Sequence, residues 1–155
     1  MTLLDIKSFA AGRWVGSDTA AREIRSAVSG EVIARAGNDG LDVEAMLSHA
    51  RNVGGQALRA TTFHQRAKML KALALHLGEH KQSLYDISFA TGATQKDHLI
   101  DIDGGIGTMF VFASKGRREM PDAQVYLDGE VEQLSRNGTF LGQHICLPLQ
   151  GVAIH

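Results

Sequence analysis

Apolar and polar positions alternate with a short period at both ends of the chain and with a helical period in the middle. Near the start, Ser8-Phe9-Ala10 and Arg13-Trp14-Val15 flank Ala11-Gly12, which predicts a tight hairpin. Residues 23–28 and 31–36 flank Ser29-Gly30 and predict a second hairpin, and Asn38-Asp39-Gly40 closes the strand-rich section. Val43, Met46, Leu47, Ala50 and Val53 then fall at helical spacing behind Asp42, a predicted N-cap. Gly54-Gly55 reads as the stop of that helix. Thr62 and Gln65 stand at capping-box spacing, and Phe63, Ala67, Leu70, Leu73, Ala74 and Leu77 trace one face of a second helix, with Gly78 as its predicted break. A short third helix is predicted over 83–90, before Gly92. A fourth is predicted over 97–115, from the spacing of Leu99, Ile102, Ile106, Met109, Phe110 and Ala113. Pro121 ends the helical part. Residues 131–136 and 139–147 flank Asn137-Gly138, the strongest short-range hairpin signal. Pro148 closes that hairpin, and Gly151 to Ile154 read as the beginning of a buried strand. The predicted class is α+β: N-terminal β-hairpins, about four helices, and a long C-terminal β-hairpin.

Composition narrows the function classes. The 155 residues suffice for one ordinary domain, which would bury roughly 68–70 % of its unfolded surface. Lys plus Arg is 16 and Asp plus Glu is 17, so generic binding to nucleic acid or to an anionic membrane is not expected. The single cysteine, Cys146, excludes an internal disulfide framework and a Cys-rich zinc site. No apolar run approaches the ~20 residues of a membrane span. The start lacks the pattern of a signal peptide, so a cytoplasmic location is expected. Glycine is high, at 17 residues. Gly104, Gly105 and Gly107 lie inside the predicted fourth helix, where each costs roughly 1 kcal/mol against alanine. Close packing, a kink or space for a ligand must offset that cost.

Several motifs carry candidate chemistry. His76-Leu77-Gly78-Glu79-His80 matches H-x-x-E-H, in which two histidines share a zinc ion and the glutamate is the base. A third protein ligand is not specified, and histidines also suit the negative end of a helix dipole, so no metal site is assigned. Gly105-Ile106-Gly107 begins like a dinucleotide fingerprint, but no strand precedes it and its third glycine position is Phe110. Asp101-Ile102-Asp103-Gly104 resembles a piece of a calcium loop whose later ligands are missing. Cys146 shares a strand face with His144, yet no orienting group accompanies them, so a buried structural thiol is expected. Asn137-Gly138-Thr139 fits a glycosylation sequon and reads as a turn.

A resemblance adds what these motifs do not. Phe9-Ala10-Ala11-Gly12-Arg13-Trp14 is followed by Val28-Ser29-Gly30-Glu31-Val32-Ile33, similar to the P-x-T-G-E stretch of aldehyde dehydrogenases. Then come Ala57-Leu58-Arg59-Ala60-Thr61-Thr62-Phe63, His64-Gln65-Arg66-Ala67, Met69-Leu70-Lys71-Ala72 and Ala90-Thr91-Gly92-Ala93-Thr94. The most specific stretches are 101–108 and Gly151-Val152-Ala153-Ile154-His155. Together they resemble the N-terminal part of the phenylacetate-degradation bifunctional family, which joins an aldehyde dehydrogenase to a C-terminal hotdog-type hydratase acting on oxepin-CoA. The nearest rival resemblance is to the related CoA semialdehyde dehydrogenases of benzoate breakdown.

The resemblance implies an α/β aldehyde dehydrogenase fold for the parent. It implies oxidation of a ring-opened, CoA-linked semialdehyde with NADP, through a cysteine thiolate and a thioester. In the family the chain continues past His155 with Ile-Asn-Ala-Phe-Asn-Phe-Pro, which carries the oxyanion-hole asparagine. The cofactor-binding lysine, the glycine motif, the glutamate base and the nucleophile follow later, and Cys146 does not match that nucleophile. The chain is thus expected to be an N-terminal fragment with no catalytic residue, no metal and no bound cofactor of its own.

Residues 1–124 would belong to the cofactor-binding domain, 125–149 would form an oligomerisation hairpin, and 150–155 would begin the next strand. Gly104, Gly105, Gly107, Thr108 and Met109 would line the substrate tunnel. Val131, Leu134, Phe140, Leu141 and Ile145 would meet a second copy of the chain. The expected partners are the chain itself and, in the parent, the CoA-linked aldehyde, with neither nucleic acid nor membrane. The rival readings are a stand-alone interaction module, a zinc hydrolase through His76 and His80, and a parent without the hydratase.

Overall fold

The computed structural model describes residues 3–17, 19 and 21–154. Five short strands come first: β1 (Leu4–Ile6), β2 (Ser8–Ala10), β3 (Arg13–Val15), β4 (Arg22–Arg25) and β5 (Val32–Ala36). β2 and β3 form the first predicted hairpin, turning at Ala11 and Gly12, both with positive φ. β4 and β5 form the second. Its first strand stops at Arg25, three residues early, because the Ser26 hydroxyl accepts from the amides of Val28 and Ser29 and shapes the turn. The sequence did not predict β1, which pairs parallel with β5 and makes a sheet of order β1-β5-β4. The N-terminal region is therefore not built from hairpins alone.

The helical block departs from the predicted punctuation in an instructive way. Asp42 caps α1 (Val43–His49) through the Ala45 amide, at 2.9 Å. Gly54-Gly55 does not end this helix. Both glycines hold right-handed helical φ and ψ, and the chain runs on through a π turn (Ala50–Gly54) into α2 (Gly55–Arg59). α3 (Phe63–Glu79) starts with the capping box, Thr62 and Gln65 bonding each other's backbone amides, and passes through Gly78 without a break. α4 (Lys81–Phe89) follows a bend at His80. The predicted fourth helix is longer than read. It comprises α5 (Gln95–His98), a π turn (Leu99–Asp103) and α6 (Gly104–Arg118), without interruption. The Asp101-Ile102-Asp103-Gly104 stretch is helical and forms no calcium loop.

α3 and α6 pack against each other. Ala67 and Ala74 on α3, and Ile106 and Ala113 on α6, are buried. Gly116 makes the approach close: a Cβ there would sit 3.1 Å from the Ala67 Cβ. Residues 120–124 are strapped to the first turn of α3. Ala123 accepts the Phe63 amide at 3.0 Å, His64 Nε2 donates to the Met120 carbonyl at 2.9 Å, and Gln124 Nε2 donates to Ala60 O at 2.9 Å. The helix start thereby satisfies an amide that would otherwise have no intrahelical partner.

The last hairpin, β6 (Tyr126–Gln133) and β7 (Leu141–Cys146), begins five residues earlier than predicted and is joined by a wider loop. Gly138 turns at positive φ, and the Ser135 hydroxyl holds the Phe140 amide at 2.9 Å. Gly129, also at positive φ, sits in a bulge between Asp128 and Glu132. The strand read at 151–154 is not present. Gly151 has φ +132, no described strand lies beside these residues, and the side chain of Ile154 is in solvent. His155 lies outside the described residues.

The accessible surface is 11811 Å². A compact monomer of 16.7 kDa exposes about 7,600 Å², so about half of the unfolded surface is buried rather than the expected 68–70 %. Among the described residues the buried apolar set is Ala10, Ala34, Ala67, Ala74, Ile106 and Ala113, five of them alanine. The larger apolar side chains mostly face water. No helix of the described residues is long and apolar enough to cross a membrane.

Candidate functional site

The glycine-bearing face of the long helix is the first candidate. Thr94 opens the helix, its amide and hydroxyl donating to Asp97 at 2.6 and 2.8 Å, which holds the Asp97 carboxyl below the usual carboxylate range. The π turn at 99–103 then resets the helical phase and brings Gly104 and Gly105 to the surface. Ile106, between the glycines, is buried. A Cβ at Gly105 or Gly107 would meet nothing within 4 Å, and one at Gly104 would meet only the Leu99 carbonyl at 3.8 Å. Packing within this chain therefore does not require these three glycines, in contrast to Gly116.

Thr108 donates its hydroxyl to the Gly104 carbonyl at 2.9 Å, so its polar atom turns back onto the helix. Gly104, Gly105, Thr108 and the exposed Phe112 form one outward stripe, small at one end and aromatic at the other. Met109 is half-buried beside it. The Gly105-Ile106-Gly107 triplet is helical and lacks the turn that cradles a pyrophosphate. The residues present do not fit a dinucleotide.

A polar cluster fixes the base of this helix. Lys81 Nζ lies 2.8 Å from Asp103 Oδ1, and the Tyr85 hydroxyl donates to the same oxygen at 2.7 Å. The Lys81 bond, then the Tyr85 bond, hold the Asp103 carboxyl below its ordinary range. Asp103 in turn pushes both the Lys81 ammonium and the Tyr85 hydroxyl up. His98 completes the contact between α4 and α5. It is 1 % exposed, stacked on Tyr85 with centroids 5.0 Å apart and edge-on to Phe89 at 4.3 Å. Neither of its ring nitrogens has a partner. No sequence pattern marks this cluster beyond the Lys81 and Tyr85 spacing on one helix face. Asp103 joins it from a distant segment that no local pattern connects.

The hairpin is the second candidate. Leu127 and Ile145 face each other across the strands and are 55 % and 54 % exposed. Val131, Leu134, Phe140 and Leu141 are exposed as well, and Leu134 also covers Gly142, where a Cβ would lie 2.7 Å from its Cδ1. β6 and β7 pair only with each other, so both outer edges are free among the described residues. Cys146, expected to be buried, is exposed on the last position of β7 opposite Tyr126. Among the described residues no second layer covers the strand.

The histidine motif at 76–80 sits at the end of α3, with His76, Glu79 and His80 all exposed and one ligand atom of each within 4.8 Å of the others. It opens into no cleft bordered by a further described ligand.

Known proteins offer two points of comparison. The model of the aldehyde dehydrogenase family matches residues 14–139. A 3,4-dehydroadipyl-CoA semialdehyde dehydrogenase of Aromatoleum evansii is 34 % identical over 152 residues, which is 97 % of this chain and 29 % of that protein. The chain thus spans less than a third of the relative's length.

Proposed function

We propose, since this chain belongs to the aldehyde dehydrogenase family, that it supplies the N-terminal portion of an enzyme oxidising a ring-opened, CoA-linked semialdehyde to the acid. The observation that carries this reading is the 34 % identity along 97 % of the chain to a protein named for a CoA semialdehyde. NADP is the proposed oxidant and phenylacetate catabolism the proposed setting, with the rest of the enzyme supplying both the cofactor site and the nucleophile. Residues 1–124 serve as part of the cofactor-binding domain, 125–149 as an arm, and 150–155 as the lead into the following strand. The large accessible surface supports this division, because apolar faces of this extent are normally covered in a larger assembly.

In this reading Gly104, Gly105, Gly107, Thr108 and Met109 border the substrate passage, with the outward stripe of Gly104, Gly105 and Thr108 facing it. The open space over Gly105 and Gly107 supports it, since it leaves room for a bulky thioester chain. The hairpin adds its free edges and its apolar face to a second copy of the protein. The chain alone turns over no aldehyde.

The test is an assay of the longer protein for reduced nicotinamide cofactor with CoA-linked semialdehydes, NADP against NAD, beside the 155-residue chain. Activity confined to the longer protein is the expected result. A longer protein that oxidises only free aldehydes, with no gain from the CoA moiety, overturns the substrate assignment. Gly105→Leu in the longer protein is expected to lower kcat/KM for CoA-linked substrates while leaving small free aldehydes unaffected.

A further inference from the structure

We propose that His76, Glu79 and His80 form a binding site for one divalent transition-metal ion of the Zn²⁺ type, placed at the bend between α3 and α4. The three side chains come from the last turn of α3 and its C-terminal cap, and one ligand atom from each lies within 4.8 Å of the others. The two imidazole rings sit 4.4 Å apart, tilted by 43°, on the same side of the helix.

The protonation of His80 is set by the backbone. Its Nδ1 lies 2.9 Å from the His76 carbonyl, and a carbonyl only accepts, so Nδ1 carries the proton. Nε2 is left with the lone pair, the arrangement in which metal-binding histidines are commonly held: one nitrogen on a backbone carbonyl, the other free for the ion.

Charge and geometry favour a cation. Glu79 supplies a carboxylate beside the two imidazoles, while the opposed poles of α3 and α4, which meet at His80, offset each other. Lys81, the nearest cation in sequence, is engaged with Asp103. Ligand atoms around a tetrahedral zinc with bonds of about 2.0–2.1 Å lie about 3.4 Å apart, so the side chains close by about an ångström. All three are exposed, so His76 and Glu79 have room to turn toward the His80 Nε2 that the backbone bond presents. Two imidazoles and one carboxylate suit Zn²⁺, Ni²⁺ or Cu²⁺ rather than Mg²⁺ or Ca²⁺. With Glu79 spent as a ligand, the site is a clamp on the α3–α4 bend and not a hydrolytic centre.

The experiment is calorimetric titration of the purified, chelator-treated protein with Zn²⁺, with Mg²⁺ as control and Cu²⁺ as a paramagnetic probe. One equivalent of Zn²⁺ is expected, together with a Cu²⁺ resonance showing two nitrogen ligands. His76→Ala and His80→Ala each abolish the saturable uptake, and Glu79→Gln, which removes a charged ligand, weakens it by more than the roughly tenfold seen when even an outer-shell partner of a ligand is lost. Zn²⁺ raises the melting temperature of the unsubstituted protein and not of the two histidine variants, whose metal-free melting stays that of the unsubstituted protein. No saturable uptake by the unsubstituted protein, or an unchanged equivalent in the His76→Ala, His80→Ala double variant, overturns the proposal.

Discussion

In the α3–α6 pair a seam of mostly small apolar side chains is closed between the helices, and in the β6–β7 hairpin large apolar side chains point into water. The pair closes because small residues, Ala67, Ala74, Ala113 and Gly116, let two backbones approach. The hairpin carries larger side chains and has nothing opposite them. The contrast shows where this chain is self-sufficient. Stability comes from the helix pair and from the strap at 120–124, while the hairpin holds itself together by ladder bonds and the Ser135 loop contacts.

The sharpest way to break that contrast is to damage the pair. Ile106→Ala is expected to cost about 2–5 kcal/mol in chemical denaturation, the range for emptying a packed aliphatic site. Gly116→Leu comes next. Its added carbons meet Ala67 across the interface, and a loss of about 1–3 kcal/mol is expected from overpacking. Gly105→Leu, eleven residues earlier on the same helix, has the opposite sign: with open space above it, the gain in helix propensity is about 0.5–1 kcal/mol. A destabilised Gly105→Leu chain would show that the glycine face is packed after all.

On the hairpin, Ile145→Lys is expected to change the melting of the isolated chain by less than about 0.5 kcal/mol, as for an exposed site. In the longer protein it should weaken self-association in sedimentation experiments, since an edge lysine discourages strand addition. The smallest effect concerns pH. Asp103 has a lowered pKa, so its bonds to Lys81 and Tyr85 stabilise the fold above the ordinary carboxylate pKa and are lost as pH falls through the depressed one. Lys81 is raised, so its share is full below the ordinary lysine value and disappears as pH rises past the higher one. Asp103→Asn should therefore flatten the acid limb of a stability–pH curve.

Local signals were legible in the sequence where the physics is local. The Asp42 cap, the Thr62–Gln65 capping box, the two N-terminal turns and the Gly138 turn all follow from residues a few positions apart. Glycine misled at 54–55 and 78, because a glycine ends a helix only when it takes positive φ, and these keep helical angles. β1 and Cys146 were misread for a different reason. Parallel pairing with β5 and the missing cover over β7 are decided by distant or absent neighbours, which no window of sequence contains. The same holds for the candidate sites. The glycine stripe was visible as a cost in the sequence, but the open space above two of its members needed the structure. The cluster of Lys81, Tyr85, His98 and Asp103 leaves no local trace beyond the spacing of Lys81 and Tyr85 on α4.

The strap on the first turn of α3 has a consequence for recognition. Three bonds, from Phe63, His64 and Gln124, fix the root of the hairpin before any encounter. Much of the freedom that a loosely tethered ribbon would surrender on docking is already gone. Preorganisation of this kind lowers the entropic penalty of association without adding a single contact at the interface. The reach and aim of the hairpin, in the role proposed for it, are thus encoded some distance from its tip, in the carbonyls of Met120 and Ala123 and the side chain of Gln124.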